Sequence, residues 1–75
     1  MSLLGTNIKQ ARATKRMTQD DLAQCINVNR ATVANWEIGR TSPDHSIIKQ
    51  LADVFCVTTD WLLGSSTSAK AHTSI

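Results

Sequence analysis

The chain has 75 residues, 41% of them apolar, 4% aromatic and 19% charged, with a formal net charge of +2. A chain of this length supports one small domain that buries roughly 60% of its unfolded surface, and it is short for an enclosed active site. The charge is too small to argue for a polyanionic partner by itself, no apolar run approaches the ~18 residues of a membrane span, and Met1 to Leu4 is too short for a secretory signal. A cytoplasmic setting is therefore the expectation. Cys25 and Cys56 lack a CxxC or Cys/His ligand spacing, so no metal site is expected and both are read as free thiols in a reducing compartment.

Leu4, Ile8 and Ala11 fall at helical spacing and predict a first helix from about Leu4 to Lys15. Thr18 is placed to cap a second helix, Asp21 three residues later approximates a capping box, and Met17 can staple onto Leu22. Leu22, Ala23 and Ile26 then recur on one helical face until Asn27 to Asn29 interrupt it, Asn27 being one of the few non-glycine residues that tolerate positive φ. Asn29 is the expected cap of a third short helix, with Val28 and Val33 as its staple and Val33 with Trp36 or Glu37 as its apolar face. Arg30, Ala31, Thr32 and Asn35 are left facing away from that side. Gly39 is placed to end this helix, and Arg40 to Pro43 reads as a loop.

Ser42-Pro43 or Asp44 can start a fourth helix that carries Ile48, Leu51, Ala52 and Phe55 at i, i+3, i+4 and i+7. A short fifth follows, with Thr58 or Thr59 as cap, Val57 stapling onto Leu62, and Gly64 terminating after Trp61-Leu62-Leu63. Trp36, Phe55 and Trp61 should anchor much of the core. Ser65 to Ile75, rich in Ser, Thr and Ala with no apolar stripe, is read as a flexible tail or the start of a linker, so the expected domain is 1–64 and the tail 65–75.

The second and third helices, joined by so tight a turn, must cross steeply, and the small Ala23 allows their close approach. The third then faces outward, where its exposed side chains can enter a major groove. Charge placement agrees. Six basic side chains stand against three acidic ones up to residue 40, and two against three thereafter, so the basic surplus lies with the candidate reading head. No paired carboxylates, nucleophile and base set or phosphate-cradling glycine loop appears, so neither catalysis nor a cofactor is expected.

These features together resemble the DNA-binding domain of the phage repressor and Cro (lambda repressor-like) helix-turn-helix family. The resemblance runs from about Leu4 to Gly64 and rests on Ile8 with Arg12, Thr18-Gln19, Leu22-Ala23, Val28, Val33, Trp36-Glu37, Gly39-Arg40, Pro43 and Asp60-Trp61-Leu62-Leu63. It implies an all-α, compact five-helix bundle that binds a two-fold symmetric double-stranded operator as a homodimer and controls transcription. In similar proteins the position of Gln19 contacts phosphate and braces the reading residues, and Arg30, Ala31 and Asn35 occupy reading positions. Arg suits guanine O6 and N7, Asn suits adenine N6 and N7, and the Ala31 methyl suits a thymine methyl. Thr32 is placed to read a base or touch phosphate, while Asn29, Arg40 and Thr41 are expected on the sugar-phosphate backbone. Arg12 and Glu37 match a pair that forms an internal salt bridge in similar repressors, the alternative being two unrelated surface charges. Trp61, Leu62 and Leu63 match the region through which similar domains dimerise, and a weak dimer that assembles fully on DNA is the expectation.

Departures from the family pattern are Asn27 where Gly is usual and Cys56 where Gly, Asn or another turn residue is common. Cys25 falls on the usually polar side of its helix. His45 and His72 are read as surface residues without metal or catalytic work. The functional expectation is a phage or prophage-type repressor that occupies an operator and excludes polymerase, associated with the nucleoid. Alternatives are a stand-alone controller of a restriction or toxin-antitoxin operon, and a protein-interaction module with weak DNA binding. A further carboxyl-terminal domain or protein partner remains compatible with the tail.

Overall fold

A computed structural model describes residues 3–64, which form five helices and no strand: α1 Leu3–Thr14, α2 Gln19–Ile26, α3 Arg30–Glu37, α4 His45–Phe55 and α5 Thr59–Leu63. The tail Ser65 to Ile75 and His72 lie outside the described residues. The expected five-helix bundle is thus the observed one, with α1 beginning one residue earlier and ending one residue earlier than its apolar spacing suggested. Among the described residues no helix is long and apolar enough to cross a membrane.

Every helix from α2 onward begins in the same way. The residue before the cap and the fourth helical residue are apolar in each: Met17 and Leu22, Val28 and Val33, Pro43 and Ile48, Val57 and Leu62. These are the positions of a hydrophobic staple. The later member of each pair is buried, and the earlier one is buried or packed against the core. Side-chain caps add to this at three of the four starts. The Thr18 Oγ1 accepts from the Asp21 amide at 3.0 Å while the Asp21 carboxylate accepts from the Thr18 amide at 2.9 Å, closing the expected capping box. Asp44 Oδ1 accepts from the Ile47 amide at 2.9 Å, and Thr58 Oγ1 from the Trp61 amide at 3.0 Å. Asp44 and Thr58 are therefore the caps where the sequence left a choice.

Helix ends are equally regular. After α1 the Arg16 amide donates to the Ala13 carbonyl and the Met17 amide to the Arg12 carbonyl; after α2, Asn27 donates to Gln24 and Val28 to Ala23; after α3, Gly39 to Trp36 and Arg40 to Asn35; after α4, Cys56 to Asp53 and Val57 to Ala52. This paired pattern is the Schellman motif, which needs a left-handed residue just past the helix. Arg16, Asn27, Gly39 and Cys56 fill that position with φ between 58° and 80°. Gly39 does so without steric penalty, whereas the Cβ of Arg16, Asn27 and Cys56 makes the same turn costlier. Asn27 was expected to carry its turn. Arg16 was not, because its side chain gives no hint of a left-handed backbone.

Between these brackets the apolar faces converge. Ile8, Leu22, Val33, Leu51 and Leu62 are fully buried, with Ala11, Ala23, Ile26, Trp36, Ile48, Ala52 and Phe55 around them. Trp36 and Phe55 anchor the core as expected, while Trp61 is half-buried at its edge. One contact was not legible in the sequence. Gly5 lies against the end of α3 so closely that a Cβ there would stand 2.3 Å from the Trp36 carbonyl oxygen and 2.7 Å from that of Glu37. Both neighbours are backbone, which cannot swing aside. On the other flank, the Asn7 side-chain amide donates to the Trp61 and Leu62 carbonyls at 3.0 and 3.2 Å, satisfying the end of α5 and tying it to α1.

Two stability predictions follow from these backbone constraints. Cys56→Gly relieves a left-handed residue that is exposed, and is expected to stabilise the domain by ~0.5–1 kcal/mol after the glycine's extra unfolded-state entropy is subtracted. Thermal unfolding by circular dichroism reads this as a higher Tm. Gly5→Ala should instead lower stability by ~1–3 kcal/mol by prying α1 from α3, and a denaturant midpoint equal to that of the native chain would contradict the close approach.

Candidate nucleic-acid interface

On α3 the burial pattern divides the helix into an inner side, Val33 and Trp36, and an outer side. Arg30 and Ala31 are exposed, and Thr32, Ala34 and Asn35 are half-buried. Ala31 and Asn35 stand one turn apart, as do Arg30 and Ala34, so the outer side holds two adjacent i, i+4 rows. Ala34 was not singled out from the sequence, although its spacing from Arg30 marks it. Being small, it leaves the helix surface between the two long side chains open to close approach.

The amino end of α3 departs from expectation in one respect. Asn29 has the extended backbone of a cap, and its carbonyl accepts from the Thr32 and Val33 amides, but its side chain makes no capping hydrogen bond. The helix start is held by that carbonyl and by the Val28 and Val33 staple positions instead. The exposed Asn29 amide group therefore remains available to other partners. At the carboxyl end, Arg40 and Thr41 are exposed and their main chain is anchored to α3, both amides donating to the Asn35 carbonyl at 2.9 and 3.5 Å. The backbone of one outer residue thus positions the loop that follows. Ile38, 64% exposed, sits between them.

Behind this face lies a polar network. Arg12 Nε donates to Glu37 Oε2 at 2.7 Å and Arg12 Nη2 to Glu37 Oε1 at 3.2 Å, a two-pronged pairing that matches the fork of the guanidinium to the carboxylate. Arg12 Nη1 donates to the Met17 carbonyl at 2.8 Å, and Gln19 Nε2 donates to Glu37 Oε1 at 3.0 Å. The side chains of Arg12 and Glu37 are only 15% and 5% exposed. The pair is therefore an internal ion pair and not two unrelated surface charges. It joins the end of α1, the turn before α2, the first residue of α2 and the last residue of α3.

The α5 residues belong to a different part of the molecule, packed chiefly against α1 and α4. Leu63 is 42% exposed and Trp61 half-buried, but Leu62 is wholly buried. Leu62 is thus a core residue that supports this surface from beneath, and the accessible apolar groups are Trp61, Leu63 and Leu3 on the adjacent start of α1. Cys25 and Cys56 are exposed free thiols, and His45 is exposed. Among the described residues no group of three or more His, Cys, Asp or Glu side chains is gathered so as to hold a metal ion.

Residues 8–62 match the helix-turn-helix family model, and the chain belongs to that family. Among its relatives, the HTH-type transcriptional regulator ImmR of Bacillus subtilis (strain 168) is 31% identical over 69 residues, 92% of this chain and 54% of ImmR. Repressor protein CI of enterobacteria phage phi80 is 33% identical over 70 residues, 93% of this chain and 29% of that repressor. The chain thus spans about half the length of ImmR and less of the phage protein. In fold it is similar to the P22 c2 repressor protein crystallised in complex with synthetic operator 9T in the presence of Tl+, with a TM-score of 0.80 over 88% of this chain and 100% of that one at 23% identity.

The buried pair gives a prediction of its own. Glu37→Ala leaves the Arg12 charge and the Gln19 amide without their acceptor inside the fold, and should destabilise the domain by ~3–5 kcal/mol in urea unfolding. A loss below about 1 kcal/mol, the value of an exposed pair, would mean that solvent screens the network.

Proposed function

We propose that the chain is a sequence-specific double-stranded DNA-binding regulator of transcription, of the phage or prophage repressor type, that inserts α3 into the major groove of a two-fold symmetric operator. The observation that carries this reading is the outer face of α3. Two short i, i+4 rows there carry an exposed guanidinium and methyl group, from Arg30 and Ala31, beside a half-buried carboxamide and methyl group, from Asn35 and Ala34, the donors and small apolar groups that base edges require. Arg30 and Asn35 read bases, Ala31 packs on a thymine methyl, and Thr32, half-buried at the side of the face, contacts a base or phosphate.

Backbone contacts flank this face in the same reading. Asn29 at the amino end of α3, Arg40 and Thr41 beyond its carboxyl end, and Gln19 at the start of α2 hold the sugar-phosphate chain and set register. The flanking contacts explain why a basic surplus concentrated before residue 41 suffices without a large net charge. Trp61 and Leu63, the exposed apolar groups of α5, form the contact between two copies, which is weak in the absence of DNA and completed on the operator. The regulator works in the cytoplasm on nucleoid DNA, and its action is occupancy of a site, with no catalytic step.

Selection from a random duplex library tests this reading. An inverted repeat with half-sites about one helical turn apart is the expected product, and no enrichment would favour a protein-interaction module instead. On the selected duplex, Arg30→Ala and Asn35→Ala should each lose ~1–3 kcal/mol and relax preference at one base pair per half-site. Arg40→Ala should weaken all duplexes alike and lower the steepness of the salt dependence by about one unit. Base preference altered by Arg40→Ala but not by Arg30→Ala would reverse the assigned roles.

A further inference from the structure

The Arg12 and Glu37 pair has a third member, and that member is the residue at the start of α2 which the reading above places on a phosphate. Gln19 is long, half-buried and joined to Glu37 Oε1 by its amide nitrogen at 3.0 Å. A carboxylate only accepts hydrogen bonds, so the Gln19 group facing it must be the NH2 and not the carbonyl oxygen. One hydrogen of that NH2 is taken by Glu37 and the other is left over. Glu37 is itself held by two bonds from Arg12, whose remaining bond fixes it to the Met17 carbonyl in the turn just before α2. The chain of contacts therefore runs unbroken from α1 to the tip of the Gln19 side chain.

We infer that Glu37 is a positioning residue for DNA binding, acting through Gln19: it holds the Gln19 amide in the free protein so that its second N–H is already presented to a backbone phosphate. This inference rests on the assignment of Gln19 to the DNA backbone. The Glu37 carboxylate, 5% exposed and of the same charge as a phosphate, does not itself bind the DNA backbone, so its effect on affinity travels through the groups it holds, Gln19 among them. The gain is one of preorganisation, since a free glutamine side chain would have to be immobilised on binding, whereas here that ordering accompanies folding.

The test uses the full chain and two duplexes, the selected operator and a scrambled one of equal length, because a backbone contact acts on both. The paired exchange Arg12→Met with Glu37→Met removes one charge of each sign, leaves the net charge unchanged, and replaces a buried ion pair by apolar side chains of similar length, a change that folds often tolerate. In the native background Gln19→Ala should weaken both duplexes by about three- to tenfold, the range expected for the loss of one hydrogen bond whose donor is already ordered. The paired exchange should weaken both by a factor of similar or smaller size, with base preference and salt dependence unaltered because no phosphate-bound cation is lost. Adding Gln19→Ala to the exchanged protein should then cost less than it does in the native background. Native affinity in the exchanged protein, or a Gln19→Ala factor that is the same in both backgrounds, overturns the inference. Failure of Gln19→Ala to weaken binding in the native background is a different result and removes the assignment of Gln19 to DNA. Should the exchanged protein not fold, nuclear magnetic resonance of the free native chain decides: the inference requires the two Gln19 side-chain amide protons to be dispersed and motionally restricted, and averaged, mobile signals would overturn it.

Discussion

The carboxylate of Glu37 is where the architecture of this small domain converges. It accepts three hydrogen bonds, two from Arg12 on α1 and one from Gln19 on α2, while sitting at the last turn of α3. Helices of eight residues such as α2 and α3 are too short to hold their own orientation. Their crossing is set at the turn end by the left-handed Asn27 and the close packing around Ala23, and at the open end by Glu37 bonded to Gln19. A buried charge pair adds little net stability compared with apolar packing, but it tolerates few alternative geometries, because a misplaced carboxylate would leave Arg12 without its acceptor. The network therefore acts chiefly on the angle at which α3 is presented.

The same end of α3 is fixed a second time by the backbone. Gly5 brings α1 against the Trp36 and Glu37 carbonyls, and the Schellman turn through Gly39 folds the Arg40 and Thr41 amides back onto the Asn35 carbonyl. Core packing of Val33 and Trp36 closes the inner side. What remains outward is a helix face backed by core packing and by an internal ion pair. The fold shared with a phage repressor and the sequence kinship with named transcriptional regulators accord with that construction.

Much of this was legible in the chain because its signals are local. Capping box, staples and the i, i+3, i+4, i+7 stripe of α4 each lie within one helical turn or two, so Thr18 and the buried set Ile48, Leu51, Ala52 and Phe55 emerge from spacing alone, while Asp44 and Thr58 each stand beside a neighbouring alternative that the structure excludes. Other features depend on partners far along the chain and had no such signal. Nothing in the spacing of Gly5 indicates the α3 carbonyls it must clear, nothing in Asn7 indicates the end of α5, and Arg16 gives no sign of its left-handed backbone. Asn29 shows the converse. Its residue type predicts a side-chain cap, yet the staple and the main-chain carbonyl hold the helix start without it.

The sequence by itself determined the number of helices, their approximate extents and their apolar faces, since these follow from periodicity and from interactions among residues three to five apart. Through family resemblance it also pointed to Arg12 and Glu37 as partners. Only the tertiary structure decided that Gln19 joins that pair, that Leu62 lies beneath the α5 surface instead of on it, and that Gly5 sets the distance between α1 and α3. Those outcomes depend on where elements separated by many residues come to rest, and that is fixed by how their faces fill a common core and satisfy one another's buried polar groups.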